Sequence, residues 1–300
     1  MTPPPIISSP QNPLIRRILK LRDNRYRQRE GAVLVDGTRE ISRALAAGFR
    51  LQSLLTPATR EKKSPLDDEH GKTSLHNLVD NGDKSVVLVS DELLAKVAYG
   101  GNPRGAVAVF DRPEPMTLER VRLPENPLVL VLVGIEKPGN AGAIFRSADA
   151  VGADAVILCG SGCDLFNPNL IRGSLGTVFS LPAVQALESD AFAWIRGRGL
   201  HCVTTIVGAS QSFWDADYRG PTAIVVGSEA EGLAGCWRPE SGAQCPAKTA
   251  SDSDSLTMVS IPMAGIADSL NVSVAAAVLL FEARRQRLSL EATPSPLPAL

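Results

Sequence analysis

Paired cysteines, histidine clusters, a dinucleotide fingerprint and long apolar runs are all missing from this 300-residue chain. Its five cysteines (Cys159, Cys163, Cys202, Cys236, Cys245) are an odd number with no C-x-x-C pair, which argues against a zinc ribbon or a disulfide framework. They read as reduced thiols in a cytosolic protein. His70, His76 and His201 show no ligand spacing, so no metal is expected. Gly-x-Gly-x-x-Gly does not occur, which weakens a Rossmann dehydrogenase reading. No signal-peptide core follows Met1, and the longest uncharged apolar segment, Val272 to Phe281, is too short to span a bilayer. A soluble, cytoplasmic protein without a membrane partner is expected.

What is present is apolar strand material and unevenly placed charge. A hydrophobic content of 44% over this length allows one large core or two modest ones, and two are expected. The net charge of -1 hides an asymmetry: residues 1–60 carry +7 and the remainder -8. A basic arm on a mildly acidic body suits a polyanionic partner, while the pI of 6.3 argues against indiscriminate nucleic-acid binding.

The chain is organised around residues 127–160. Leu128 to Val133 is a continuous apolar run, as in a strand buried on both faces, and Ala155 to Leu158 resumes that pattern. Between them, Pro138 and Gly139 interrupt regular structure and Asn140 suits an N-cap. Ile144, Ala148 and Val151 then share one helix face, and Gly152 closes the helix. Arg146 lies about 200° round from Ile144 and should point away from the core. The β-α-β unit so defined carries a polar loop and an arginine where open α/β sheets bind ligands.

Residues 1–10 read as mobile and 1–30 as a basic arm, with Leu14, Ile18 and Leu21 on one face of a short helix. Seven basic residues (Arg16, Arg17, Lys20, Arg22, Arg25, Arg27, Arg29) crowd there, either as a solvated face or as an RNA contact for which Tyr26 offers a stacking surface. Residues 31–110 alternate strands and helices, as in a small α/β domain with Thr38 capping one helix, and 111–126 read as a linker. Arg60 to Lys84 and Cys236 to Ser255 are polar excursions, and 291–300 form a Pro-rich tail. The helix beginning near Val272 is apolar nearly all round until Glu282, so it is either buried in its own domain or covered by a second subunit.

Three strand-loop segments, "EKPGNAGAIFRSA", "VGSEAEGL" and "SIPMAGIADSLNVS", resemble in order and spacing motifs 1, 2 and 3 of the SpoU/TrmH family of RNA 2'-O-ribose methyltransferases. The resemblance spans about Val129 to Arg287, and residues 31–109 more weakly resemble the ribosomal-protein-like substrate-binding domain that often precedes that catalytic domain. It implies a SPOUT-type, trefoil-knotted α/β methyltransferase domain over 127–290, a homodimer through that domain, and S-adenosyl-L-methionine bordered by Gly227, Ile261 and Leu270. It implies RNA as partner, rRNA more than tRNA; a tRNA methyltransferase or a non-catalytic RNA-binding protein with the same fold are the alternatives. Family position gives Arg146 proton removal and Asn140 substrate positioning. A guanidinium holds its proton too firmly to be a good base, so phosphate binding and oxyanion stabilisation suit Arg146 better. Glu229 would anchor the motif 2 loop, and Ser269 and Asn271 the motif 3 turn, although Asn140, Ser269 and Asn271 could also be plain helix caps. Arg172 and Ser174 fall where the family lines its RNA side, or else in a surface ion pair.

Overall fold

The computed structural model describes residues 5–58, 75, 78, 81–101, 104–160, 163–227, 233, 235–237 and 256–291. Glu229, His70, His76, Cys245 and most of the two polar excursions lie outside the described residues. In chain order the first elements are α1 (Pro13–Lys20), α2 (Asn24–Glu30), β1 (Ala32–Asp36), α3 (Thr38–Ala46), β2 (Leu51–Pro57), β3 (Val86–Val89), α4 (Asp91–Val97) and β4 (Val107–Asp111). There follow β5 (Leu128–Val133), α5 (Pro138–Val151), β6 (Ala155–Cys159), α6 (Pro168–Gly173), β7 (Ala183–Ala186), α7 (Glu188–Gly197), β8 (His201–Thr205), β9 (Gln211–Ser212), β10 (Thr222–Gly227), β11 (Leu256–Ser260) and α8 (Val272–Glu291). They form two compact units, Met1–Glu114 with Asp164–Ser180, and Pro115–Cys163 with Leu181–Leu300.

The first unit is a four-stranded sheet in the order β1-β4-β2-β3, with β2 and β3 parallel and the other pairings antiparallel. Asn12 and Asp23 cap α1 and α2 by accepting from Leu14 N at 2.9 Å and Tyr26 N at 2.8 Å. Ile15, Ile18 and Leu21 pack with Leu34, Leu55 and Val109 in one core, whereas Leu14 is only half-buried. The basic stretch is therefore built into the unit. Ile7, expected to be mobile, adds a parallel bridge to β3 through Ile7 N to Leu88 O and Ser90 N to Ile7 O. Thr38 is the first helical residue of α3, and the cap position falls on Gly37.

The segment Asp164–Ser180 follows β6 in the chain but packs with this first unit. Asp164 accepts from Arg27 Nη2 and Arg112 Nη2, each at 2.9 Å, and Arg43 Nη1 donates to Leu175 O at 3.0 Å. Leu175 adopts φ 55, and at Gly176 (φ +86) a Cβ would stand 3.2 Å from Glu40 Cα, so the turn between them needs glycine.

The second unit is a seven-stranded sheet in the order β7-β6-β5-β10-β8-β11-β9 in which every pairing is parallel. Val129, Val131, Ile157 and Val225 face one core together with α7 and Trp237. Leu130, Leu132, Leu158 and Ile224 are equally buried, so the central strands are apolar on both faces, as continuous runs of Val, Leu and Ile require. The helices α5 and α8 pack against one another, and α8 packs on β10. The stretch expected as a linker is anchored in this unit: Leu118 and Val121 are buried and Trp194 Nε1 donates to Leu118 O at 2.9 Å.

The helix α8 is one-sided rather than uniformly buried. Val272, Ala276, Leu279, Leu280 and Ala283 face inward, while Val274, Phe281 and Leu288 are exposed. Near its end, Arg287 donates to the carbonyls of Tyr218, Asn126, Pro127 and Gly220 at 2.7–2.9 Å, which joins α8 to the starts of β5 and β10. Cys159, Cys163 and Cys202 are buried as reduced thiols, and burial pushes those of Cys159 and Cys202 up to about 12. Cys236 departs from the expectation of reduced thiols, since it is disulfide-bonded. Among the described residues no helix is long and apolar enough to cross a membrane.

Candidate active site

Parallel strands bring their carboxyl ends to one edge of the sheet, and there the second unit opens a cleft of about 500 Å³. The ends of β8 (Thr205 to Gly208), β10 (Gly227) and β11 (Ser260 to Met263) line it, with Leu270 just before α8 and Val272 and Ala275 in its first turn. The lining is mostly aliphatic, with Thr205, Ser260, Asp268 and Ser269 as its polar side chains. Ser260 Oγ donates to Ala209 O at 2.8 Å and so ties two of the lining segments together. A cleft of this size, apolar with few polar groups, falls within the range of roughly 300–1,000 Å³ typical of small-molecule sites. Gly227, Ile261, Leu270 and Ser269, all marked by the sequence, line this one cleft.

The segment after β8, with Ile206, Val207 and Gly208, was not marked by sequence reasoning. A signal was there: "CVTTIVG" is an apolar strand running into a glycine, the same pattern that flagged the other loops.

Beside the cleft, two expected catalytic residues meet. Asn271 sits between the lining residues Leu270 and Val272, and its Nδ2 donates to Asn140 Oδ1 at 3.3 Å. Asn271 Oδ1 also accepts from Ser273 N at 2.9 Å and Ser273 Oγ at 2.6 Å, so it caps α8 as well as reaching α5. Asn140 does not cap α5. The helix starts at Pro138, whose missing N–H and fixed φ suit the first helical position, and the cap position is Lys137. Asn140 is thereby the third helical residue, and its side chain meets Asn271 instead of the helix start.

Arg146 is exposed, while Ile144, Phe145 and Ala148 on either side of it are buried. The helix period alone produces this: the apolar face turns to the sheet and Arg146 turns away. Gly152 ends the helix at φ 73, as expected.

The residues expected to contact RNA divide into two groups. Arg16 and Arg25 are exposed on α1 and α2. Arg17 is half-buried and donates to Glu30 Oε2 at 3.3 Å and Gln52 Oε1 at 2.9 Å. Arg27 corrects the picture of a solvated basic face: its side chain is 1% exposed and paired with Asp164. Ser174 is likewise fully buried, its Oγ donating to Ile171 O at 2.9 Å and accepting from Gly176 N at 3.2 Å. Arg172 is partly exposed, donates to Tyr99 O at 3.1 Å, and lies 3.7 Å from Asp36 Oδ2. Of the histidines, His201 contacts Thr257 Oγ1 at 2.8 Å and Asp217 O at 3.3 Å.

Comparison with known proteins agrees with this geometry. Residues 127–281 match the model of the SpoU rRNA Methylase family, and residues 12–108 match an MRM3-like substrate binding domain. A 23S rRNA (uridine(2479)-2'-O)-methyltransferase of Streptomyces viridochromogenes is 33% identical over 276 residues, covering 90% of this chain and 88% of that protein. The crystal structure of an RNA 2'-O ribose methyltransferase superposes with a TM-score of 0.76 at 40% identity, covering 95% of this chain and all of the other. The SpoU methyltransferase AviRb from Streptomyces viridochromogenes, in complex with AdoMet, superposes with a TM-score of 0.75 at 30% identity, covering 93% and 99% of the two chains. With the match running through the β5-α5-β6 unit, the cleft and the Asn140–Asn271 contact, this chain belongs to the SpoU rRNA methylase family.

Proposed function

We propose that this protein methylates a ribose 2'-hydroxyl in structured RNA, ribosomal in preference to transfer RNA, with S-adenosyl-L-methionine held in the cleft. The observation that carries this reading is the aliphatic cleft at the strand ends with the Asn140–Asn271 pair beside it. S-adenosyl-L-methionine supplies a methyl group on a sulfonium, a strong electrophile. The tasks left to the chain are to hold that cofactor, align the 2'-oxygen and manage its charge. Gly227, Ile261 and Leu270 hold the cofactor by packing and main-chain contacts. Asn140 and Asn271 fix the motif 3 turn against α5, and Ser269 lines the same turn. Arg146 binds the target phosphate and stabilises the developing oxyanion; a guanidinium is a poor base, so the 2'-proton leaves to solvent directly or through a relay. Glu229 anchors the motif 2 loop. The knot belongs to the same reading, as does a cytoplasmic location.

Titration calorimetry with S-adenosyl-L-methionine, together with mapping of ribose methylation in RNA from cells with and without the gene, tests the assignment. Saturable cofactor binding and loss of one rRNA 2'-O-methyl mark are expected. Absence of cofactor binding even with RNA present would favour a non-catalytic RNA-binding protein, and loss of a tRNA mark would move the substrate.

The same reading includes a homodimer through the catalytic unit. Val274, Phe281 and Leu288 are 47%, 54% and 43% exposed and recur every seven residues along α8, an apolar stripe that a second copy would cover. Light scattering at micromolar concentration should give twice the chain mass, and Phe281→Glu should halve it. A wild-type monomer at that concentration would remove the dimer.

A further inference from the structure

Two carboxylates in the first unit are buried beside arginines whose ends reach solvent. Glu40 has a side chain only 2% exposed, and its Oε1 lies 3.0 Å from Arg39 Nη2 and 3.9 Å from Arg104 Nη1. The two guanidinium groups therefore sit side by side on one oxygen. Asp36, 7% exposed, accepts from Tyr99 N at 2.9 Å through Oδ2, the atom that faces Arg172 Nη1. Gly37 stands between the two acids at φ +111, where a Cβ would collide with Glu40 Oε2 and lie 3.5 Å from Arg104 Cβ. Glu40 is thus folded back against the main chain, in a position that only glycine at residue 37 allows.

Buried ion pairs are weak evidence for stability, since desolvation offsets much of the attraction. What this arrangement does achieve is orientation. The acids lie inside, and the side chains of Arg39, Arg104 and Arg172 remain 30%, 42% and 27% exposed. Each guanidinium has five donors in a fixed fork; Arg39 Nε is buried, and the Nη donors not turned inward are the ones left for an external oxyanion. On α1, α2 and the turn between them, Arg17, Arg22 and Arg27 donate to internal acceptors, while Arg16 and Arg25 are exposed.

The geometry points to Arg39, Arg104 and Arg172 as a phosphate-binding surface for the RNA substrate, with Glu40 and Asp36 as the positioning residues that aim them. This rests on the reading of the chain as an RNA methyltransferase. Arg172 comes from the segment Asp164–Ser180, so the surface is not contained within residues 12–108 but is completed by chain that follows β6. A fork aimed by a buried carboxylate binds phosphate bidentately, which lysine at the same positions would not reproduce.

The test is a salt titration of binding to rRNA purified from a strain lacking the gene, using the full-length protein. Replacing Arg39, Arg104 and Arg172 together by Gln should lower the slope of log affinity against log salt by about 2 to 3, at roughly 0.7–0.9 for each phosphate no longer neutralised. An unchanged slope in a variant with the wild-type melting temperature overturns the inference. Should the triple variant not fold, Arg104→Gln alone, the most exposed of the three, should lower the slope by about 0.7–0.9 and serves the same purpose. Glu40→Gln gives a result of opposite sign under the two explanations. Charge alone predicts tighter RNA binding once a carboxylate is gone, whereas a positioning role predicts weaker binding with a flatter slope. Tighter binding removes Glu40 from the proposal. If wild-type protein shows no salt-dependent rRNA binding at all, the RNA methyltransferase reading fails first, and the surface with it.

Discussion

Arg146→Ala is expected to slow single-turnover methyl transfer by on the order of 10²- to 10³-fold, the usual effect of removing one transition-state charge stabiliser. The melting temperature and the calorimetric affinity for S-adenosyl-L-methionine should stay at wild-type values. The separation follows from where the side chain sits. Ile144, Phe145 and Ala148 hold α5 to the sheet and are buried, while Arg146 is exposed and contributes nothing to that packing. Nor is it among the residues lining the cleft. An effect on the chemical step alone is what remains if Arg146 grips a phosphate and meets the charge growing on the 2'-oxygen. Arg146→Lys retains the charge without the planar fork and should recover little of the rate. The measurement is methyl transfer at saturating RNA and cofactor. A well-folded Arg146→Ala protein that transfers methyl at a near-normal rate would take Arg146 out of the mechanism. Loss of folding together with activity would make it a structural arginine.

That prediction needs only a helix period and an apolar run, which is why the catalytic unit was largely legible. Leu128 to Val133 is apolar at every position because β5 is covered on both faces, and no other local structure suits such a run so well. The second and third of the strand-loop segments meet in one cleft with the end of β8 because parallel strands bring their carboxyl ends to the same edge of the sheet, while the loop after β5 reaches that cleft only through the Asn140–Asn271 contact beside it. The start of α5 was misjudged for a local reason. Pro138 breaks a helix from inside but begins one well, and periodicity does not distinguish the two until the helix start is known. The basic stretch was misjudged for a non-local one. Arg27 pairs with a residue 137 positions away, and no feature near Arg27 in the sequence separates it from exposed Arg25. The same holds for Ser174, whose burial depends on a segment that leaves the catalytic sheet's order to pack with the first unit.

Asp164→Ala should destabilise the first unit by about 3–5 kcal/mol, the typical cost of breaking a buried ion pair from one side. Both partners are out of water, with the side chains of Arg27 and Asp164 only 1% and 2% exposed. Asp164 also accepts from Arg112 Nη2 at 2.9 Å and from Phe166 N at 3.2 Å, so its removal strands more than one donor. Arg112 is 20% exposed and, although its Nη1 is buried in the folded protein, has a route by which to turn its charge towards solvent. Arg27 cannot, since its Nη1 is held by Leu21 O at 2.9 Å and Arg22 O at 2.8 Å and its stem is enclosed. The destabilisation should therefore track Arg27, and a second variant shows whether it does. Replacing Arg27 by Met and Asp164 by Leu together removes the charge along with its partner, and buried pairs exchanged for apolar groups in this way are often neutral or even stabilised. Asp164→Ala should melt on the order of 10 °C below wild type, and the double variant should recover most of that difference. Equal losses in the two proteins would mean that packing rather than the uncompensated charge dominates. An Asp164→Ala protein within about 1 kcal/mol of wild type would show that the pair does not hold the segment Asp164–Ser180 in the unit, because a guanidinium left without its acid could remain buried at so small a cost only if water reached it.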